Sequence, residues 1–127
     1  MKKSAEIRLR PFRREDLVVD GKVMDWPVEA LTAEIEGKVI ACAGLQRPDG
    51  RLWVFLDIID ERARQPHLLH RAARKLQDIA PRGETIYAHR DRAEPTSGRW
   101  LTRLGFRPTG TTHLNYEVWT WQAPPPS

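Results

Sequence analysis

Leu52-Trp53-Val54-Phe55-Leu56-Asp57-Ile58-Ile59 is followed, after a short polar stretch, by Pro66-His67-Leu68-Leu69-His70-Arg71-Ala72-Ala73-Arg74-Lys75-Leu76-Gln77-Asp78-Ile79-Ala80 and then by Thr85-Ile86-Tyr87-Ala88-His89. The first block carries one charge, Asp57, and apolar side chains on both faces, which predicts a central strand covered on both sides. In the second, Leu68, Leu69, Ala72, Ala73, Leu76, Ile79 and Ala80 recur at helical spacing, with His70, Arg71, Arg74, Lys75 and Asp78 opposite. Pro66 suits a first helical turn, and Pro81-Arg82-Gly83 stops the helix. A strand, a crossover helix and a further strand imply a parallel pair.

Upstream, Ile7 to Phe12 alternates apolar and basic residues as a half-buried strand does, and Arg13 to Val19 reads as a short helix before an Asp20-Gly21 turn. Met24 to Glu29 reads as irregular chain or a single helical turn. Leu31 to Glu36 and Val39 to Leu45 form an expected hairpin about Gly37-Lys38, and Pro48-Asp49-Gly50 turns the chain into the Leu52 strand. Downstream, Thr96 or Ser97 caps a second helix that runs to Leu104, with Gly105 just past its end. Leu114 to Gln122 is a closing strand with Trp119 and Trp121 on one face and Tyr116 and Val118 on the other. The expected fold is α/β (α+β): a mixed, partly antiparallel central sheet of about six strands flanked by helices, one domain over residues 1–122 with a proline-rich tail over 123–127.

Composition narrows the function classes. The chain of 127 residues fits one domain, and its 40% apolar and 30% charged content reads as globular. The one cysteine, Cys42, lies in an apolar run; it excludes an intrachain disulfide and reads as a core thiol, and no metal site is expected. No apolar stretch reaches the roughly 18 residues that span a bilayer. The start, Met1-Lys2-Lys3-Ser4-Ala5-Glu6, has no apolar segment behind its charges, so the expected location is the cytoplasm, or a virion packaged from it. The net charge of +4 favours anionic partners, but acidic and basic residues alternate along the chain, as a solvated surface would have them.

Two segments resemble a known family. Ser97-Gly98-Arg99-Trp100-Leu101-Thr102-Arg103-Leu104-Gly105-Phe106-Arg107-Pro108-Thr109-Gly110 resembles the last helix of the GNAT acyl-CoA-dependent N-acyltransferases and its Leu-Gly-Phe step into the next strand. Ile35 to Gly44, with Glu36-Gly37-Lys38 at its turn, is similar to that family's second-to-third strand hairpin. The resemblance covers nearly the whole chain in element order. It implies acetyl-CoA as cofactor, a small-molecule or protein amine as acceptor, and a coenzyme diphosphate seated at the start of the long helix. The residues that would then meet the coenzyme are Ile58, Ile59, Arg62, Arg64, Gln65 and His67, and the candidate bases are Asp57, where burial would raise the pKa, and His89.

This sequence departs from the family pattern in two places. The family's loop, Arg/Gln-x-x-Gly-x-Gly/Ala, lets bare amides approach phosphates, whereas Asp60-Glu61-Arg62-Ala63-Arg64-Gln65-Pro66 is shorter and has no glycine. The family's proton-donating tyrosine falls at Leu101, and the asparagine that often precedes that helix falls near Glu94. Short GNAT-like chains of tailed bacteriophages and prophages are similar in these losses, in the abbreviated region between the first two strands, and in the final strand Tyr116 to Trp121. Three readings stand at this level: an acyltransferase with a degenerate cofactor loop and weak activity; a catalytically silent interaction protein, as in a phage particle; and, ranked last, a nucleic-acid-binding domain using the basic helix face with Trp119 and Trp121. The last strand, if at an edge, would pair with another subunit or a protein partner.

Overall fold

The structure is a computed structural model, and it describes residues 6–13, 16, 18–19, 22–23 and 29–126. Its strands are β1 (Ile7–Pro11), β2 (Val18–Val19), β3 (Lys22–Val23), β4 (Glu29–Ile35), β5 (Lys38–Gln46), β6 (Leu52–Ile58), β7 (Thr85–Arg90), β8 (Arg107–His113) and β9 (Tyr116–Gln122). Two helices, α1 (Pro66–Ile79) and α2 (Ser97–Arg103), and a 3₁₀ turn at Glu61–Ala63 complete the described elements. The main sheet has seven strands in the order β1-β4-β5-β6-β7-β9-β8, with β2 and β3 pairing separately. β6 and β7 are parallel and the other neighbours in the main sheet are antiparallel. This is the mixed α+β architecture expected, with one more strand.

The extra strand is β8. Its residues are nearly all exposed and rich in threonine, so it lacks an apolar alternation. It pairs with β9 through a turn at Leu114-Asn115, both at positive φ (52° and 68°), the primed geometry that a hairpin demands. Because β8 takes the edge, β9 lies between β7 and β8. The expectation that the last strand pairs with another subunit is therefore corrected: both its sides are occupied. The helix expected over Arg13 to Val19 is corrected in its second half: Asp16 lies in a 3₁₀ turn, but Val18–Val19 is extended and pairs with Lys22–Val23. The expected turn at Asp20-Gly21 and nearly all of Met24 to Glu29 lie outside the described residues.

Both helices pack on one face of the sheet. Leu45, Leu52, Ile86, Ala88 and Trp119 meet Leu101, Leu104 and Phe106 in one core cluster, with Trp121 packed against it. Ala33, Ile35, Ile40 and Ala41 meet Ala63 and Leu68 in a second. Gln77 Nε2 donates to the Leu104 carbonyl at 2.6 Å and Arg74 to the Arg103 carbonyl at 3.2 Å, locking α1 to α2. The expectation that β6 is covered on both faces is corrected: it is central, but Leu56, on the same face as Leu52 and Val54, is 43% exposed where the strand has left β7, and Asp57 is exposed on the other face. After β9, Ala123 is buried; its amide donates to the Glu84 carbonyl, and the Gly83 amide donates to the Pro124 carbonyl, so the proline-rich end begins docked on the chain before β7.

Around β1, β4 and β5 the opposite sheet face is closed by a polar knot. Arg10 donates to Asp16 (2.8 and 3.0 Å) and to Glu34 (2.8 Å), and the fully buried Thr32 hydroxyl donates to Asp16 Oδ2 at 2.8 Å. Burial alone would raise the Asp16 pKa; the Arg10 guanidinium, the Arg13 amide and Thr32 outweigh it and hold the carboxyl below its ordinary value. A carboxyl depressed in the folded state stabilises the fold above its unfolded pKa of 3.8, and that contribution is lost as pH falls further. Asp16→Ala, which leaves a nearly buried guanidinium short of a partner, is expected to cost about 3 kcal/mol in urea denaturation at pH 7. It should also lose part of the wild-type decline in stability below pH 4.

Candidate active-site cleft

β6 and β7 pair only at Leu52↔Ile86 and Trp53↔Tyr87, then diverge. The β7-facing edge of Val54 to Ile58 consequently has no strand partner. Between the diverging strands lies a cleft of about 670 Å³, within the range of small-molecule sites. Its walls are Val54, Phe55 and Leu56 of β6, Ala88 and His89 of β7, Trp100 and Leu101 of α2, and His113 and Leu114 at the β8–β9 turn. Gly44 on β5 keeps the Phe55 ring in place, because a β-carbon there would collide with that ring and with Ala30.

His89 stands on Trp53, rings stacked at 4.2 Å, and its Nε2 lies 2.9 Å from His113 Nδ1. Desolvation, then His113 and Arg51, lower its pKa below 6.5, against an opposing pull from Asp49, so the imidazole is neutral at pH 7. Trp53 is itself fixed: its Nε1 donates to Asp49 Oδ1 at 2.9 Å, Arg51 lies 4.8 Å above its ring, and Arg51 pairs with Asp49. That pairing, helped by Trp53, lowers the Asp49 pKa to about 2. Trp100 contributes a different feature. Its indole Nε1 is buried with no hydrogen-bond partner among the described residues, a deficit worth about 1–3 kcal/mol.

The other sequence candidates lie elsewhere. Asp57 is exposed opposite Cys42 on β5 and is not part of the cleft wall. Ile58 packs against the second core cluster, and the amides of Ile59 and Asp60 both donate to the Ile40 carbonyl, at 2.8 and 3.1 Å. Arg62, Gln65 and His67 line a separate groove with Glu6, Glu36 and Arg71, on the β1–β4 side of α1. Arg64 pairs with Glu61 at 2.9 Å. Sequence reasoning missed His113, Trp100 and Trp53; the turn at Leu114-Asn115 was the available signal, since it folds His113 back over β7.

The loop between β6 and α1 offers few free amides to a coenzyme diphosphate. The amides of Arg62, Ala63, Arg64 and Gln65 donate to Asp60 Oδ1, Asp60 O, Glu61 O and Ala63 O, and Pro66 has none. Glu61, His67 and Leu68 keep amides without a partner among the described residues, but they lie on either side of that run. Ala63 is fully buried beneath Ile40 and Leu68, so the loop turns into the core instead of presenting its backbone. Arg62 bonds Asp60 through two nitrogens, at 3.1 and 2.9 Å, and with its own amide holds that carboxyl well below the usual range. Among the described residues no three His, Cys, Asp or Glu side chains group as a metal site, and no helix is long and apolar enough to cross a membrane.

No protein-family model and no curated protein matches the sequence. Solved structures do match. The ribosomal-protein-S18-alanine N-acetyltransferase of Escherichia coli aligns over 96% of this chain and 97% of its own, with a TM-score of 0.64 and 11% identity. The spermidine/spermine N-acetyltransferase SpeG of Vibrio cholerae aligns over 92% of each chain, with a TM-score of 0.63 and 15% identity. The GNAT domain of S. lividans PAT aligns over 91% and 90%, with a TM-score of 0.59 and 13% identity. At such identities the likeness establishes the fold. His113→Ala should raise the His89 titration midpoint toward 6.5, read by NMR of the imidazole protons, because it removes a charge partner and opens the ring to water.

Proposed function

This chain has the fold of the GNAT N-acetyltransferases, and from that premise we propose that it is an acyltransferase-like protein acting on an amine, with a weak hold on acyl-CoA. The observation that supports it best is the two-residue parallel ladder that opens into a cleft lined by a neutral imidazole. The neighbours whose substrates are named modify amines, of spermidine and spermine or of a ribosomal protein's alanine. In this reading His89 takes the proton from the acceptor amine, since it borders the cleft and is unprotonated at neutral pH. Leu101, in the α2 wall, has no proton to give a leaving group, so solvent supplies it, at a cost of roughly 10²–10⁴-fold. A small-molecule or protein amine remains the acceptor class.

The second reading, a catalytically silent interaction protein, is favoured by the coincidence of Leu101 with the self-satisfied loop. The similarity to phage-encoded chains, and with it a virion location in place of the cytoplasm, belongs to this reading. The nucleic-acid reading loses its aromatic basis, because Trp119 is buried in the core and Trp121 packs against it.

Calorimetric titration with acetyl-CoA separates the two. The expected dissociation constant is about 10⁻⁴ M, near −5.5 kcal/mol. A value of about 1 μM would overturn the reading of the loop; no binding together with no acetyl transfer would leave the silent protein. His89→Ala is expected to lower turnover by roughly 10²-fold or more, with an acid limb in the wild-type profile below pH 6.5. Asp57→Asn should leave turnover near wild type, and a loss as large as that of His89→Ala would move the base to Asp57.

A further inference from the structure

We propose that the acyl donor is recognised through its pantetheine arm alone, the nucleotide contributing nothing, so that the site accepts pantetheine thioesters as a class. This rests on the acyltransferase reading above and names its donor. An anion at the end of a parallel strand is ordinarily met by successive amides at the following helix start. Here the loop amides of Ile59, Asp60 and Arg62 to Gln65 are spent on Ile40, Asp60, Glu61 and Ala63, Pro66 has none, and only Glu61, His67 and Leu68 keep theirs free among the described residues.

The charges are arranged to the same effect. Arg62 and Arg64 face Asp60 and Glu61, and the groove that Arg62, His67 and Arg71 line also holds Glu6 and Glu36, which offset its positive charge. A diphosphate placed there would displace each guanidinium from a carboxylate and then sit beside that carboxylate.

The cleft has the opposite character. Pantetheine is a flexible arm with two amides and a gem-dimethyl group. The unpaired edge of β6 offers backbone groups to those amides, and Val54, Leu56, Ala88 and Leu101 offer apolar walls to the rest. Trp100 lines the same cleft, and its buried, unmatched Nε1 would gain a partner if the ring turned toward a carbonyl bound there.

Titrating the full chain with acetyl-CoA, S-acetylpantetheine and adenosine 3′,5′-bisphosphate tests this. The two thioesters should bind with constants within about threefold of each other, and the bisphosphate should not compete. Acetyl-CoA binding tens of times tighter, or competition by the bisphosphate, would overturn the proposal while leaving an acyltransferase. Absence of binding by both thioesters would overturn both. Asp60→Asn with Glu61→Gln, which releases Arg62 and Arg64, should tighten acetyl-CoA and leave S-acetylpantetheine unchanged; an equal effect on both would count against it. Trp100→Phe should weaken both by the same factor, and selective loss of acetyl-CoA would refute the shared grip. An acetylated carrier protein as a parallel donor distinguishes a carrier-borne arm from a free thioester, and transfer from either upholds nucleotide-free recognition.

Discussion

Trp53 holds the sheet together at the place where it opens. It occupies the last pair of the β6–β7 ladder, 3% exposed, tied to Asp49 by its indole nitrogen, stacked on His89 and in tilted contact with Tyr87. On the helix side of the same point, Leu52 and Ile86 are sealed by Leu101 and Leu104. Past it, the small Ala88 faces α2, and Trp100 and Leu101 enter the space a continued ladder would have used. The cleft therefore follows from a well-packed junction, and its histidine is oriented by that junction: the ring that terminates the ladder is the ring on which His89 rests.

The loop after β6 shows the cost of the opposite solution. A chain leaving a strand for a helix must find partners for several amides, and a ligand anion is one way of supplying them. For Ile59, Asp60 and Arg62 to Gln65 this chain supplies them itself, through the Ile40 carbonyl, the Asp60 side chain and a 3₁₀ turn plugged into the core by Ala63. The two arrangements are mutually exclusive at the level of single hydrogen bonds. The ion pairs above the loop matter less. They lie at the surface, where solvent and salt screen them. The backbone decides.

Much of this was legible in the sequence. The apolar run over Leu52 to Ile59 and the helical spacing from Leu68 to Ala80 specify a central strand and crossover helix, and the hairpin expected about Gly37-Lys38 turns one residue earlier, at Glu36-Gly37, both at positive φ. The missing glycines were visible, but their replacement by internal acceptors was not, because Ile40 lies some twenty positions upstream and its role depends on register. β8 escaped notice because an exposed edge strand of threonines has no buried face to impose alternation. His89 could be named from its place at a strand end; His113 could not, since its approach to His89 depends on that unrecognised hairpin.

The far face of the sheet completes the picture. Among the described elements both helices lie on one side, and side chains pack on the other. Near β1, β4 and β5 the chain uses Asp16, Arg10, Thr32 and Glu34 in a bonded knot over Cys42, whose thiol is pushed above its usual pKa by burial and is inert as a nucleophile. Near β6, β7 and β9 it uses rings: Trp53, Tyr87, His89, His113 and Tyr116 in successive contact. A polar knot tolerates little displacement, because each member left unpaired is costly. The ring cluster is held at its base in a comparable way, because Trp53 is bonded to Asp49 and capped by Arg51, and His89 lies within hydrogen-bond distance of His113.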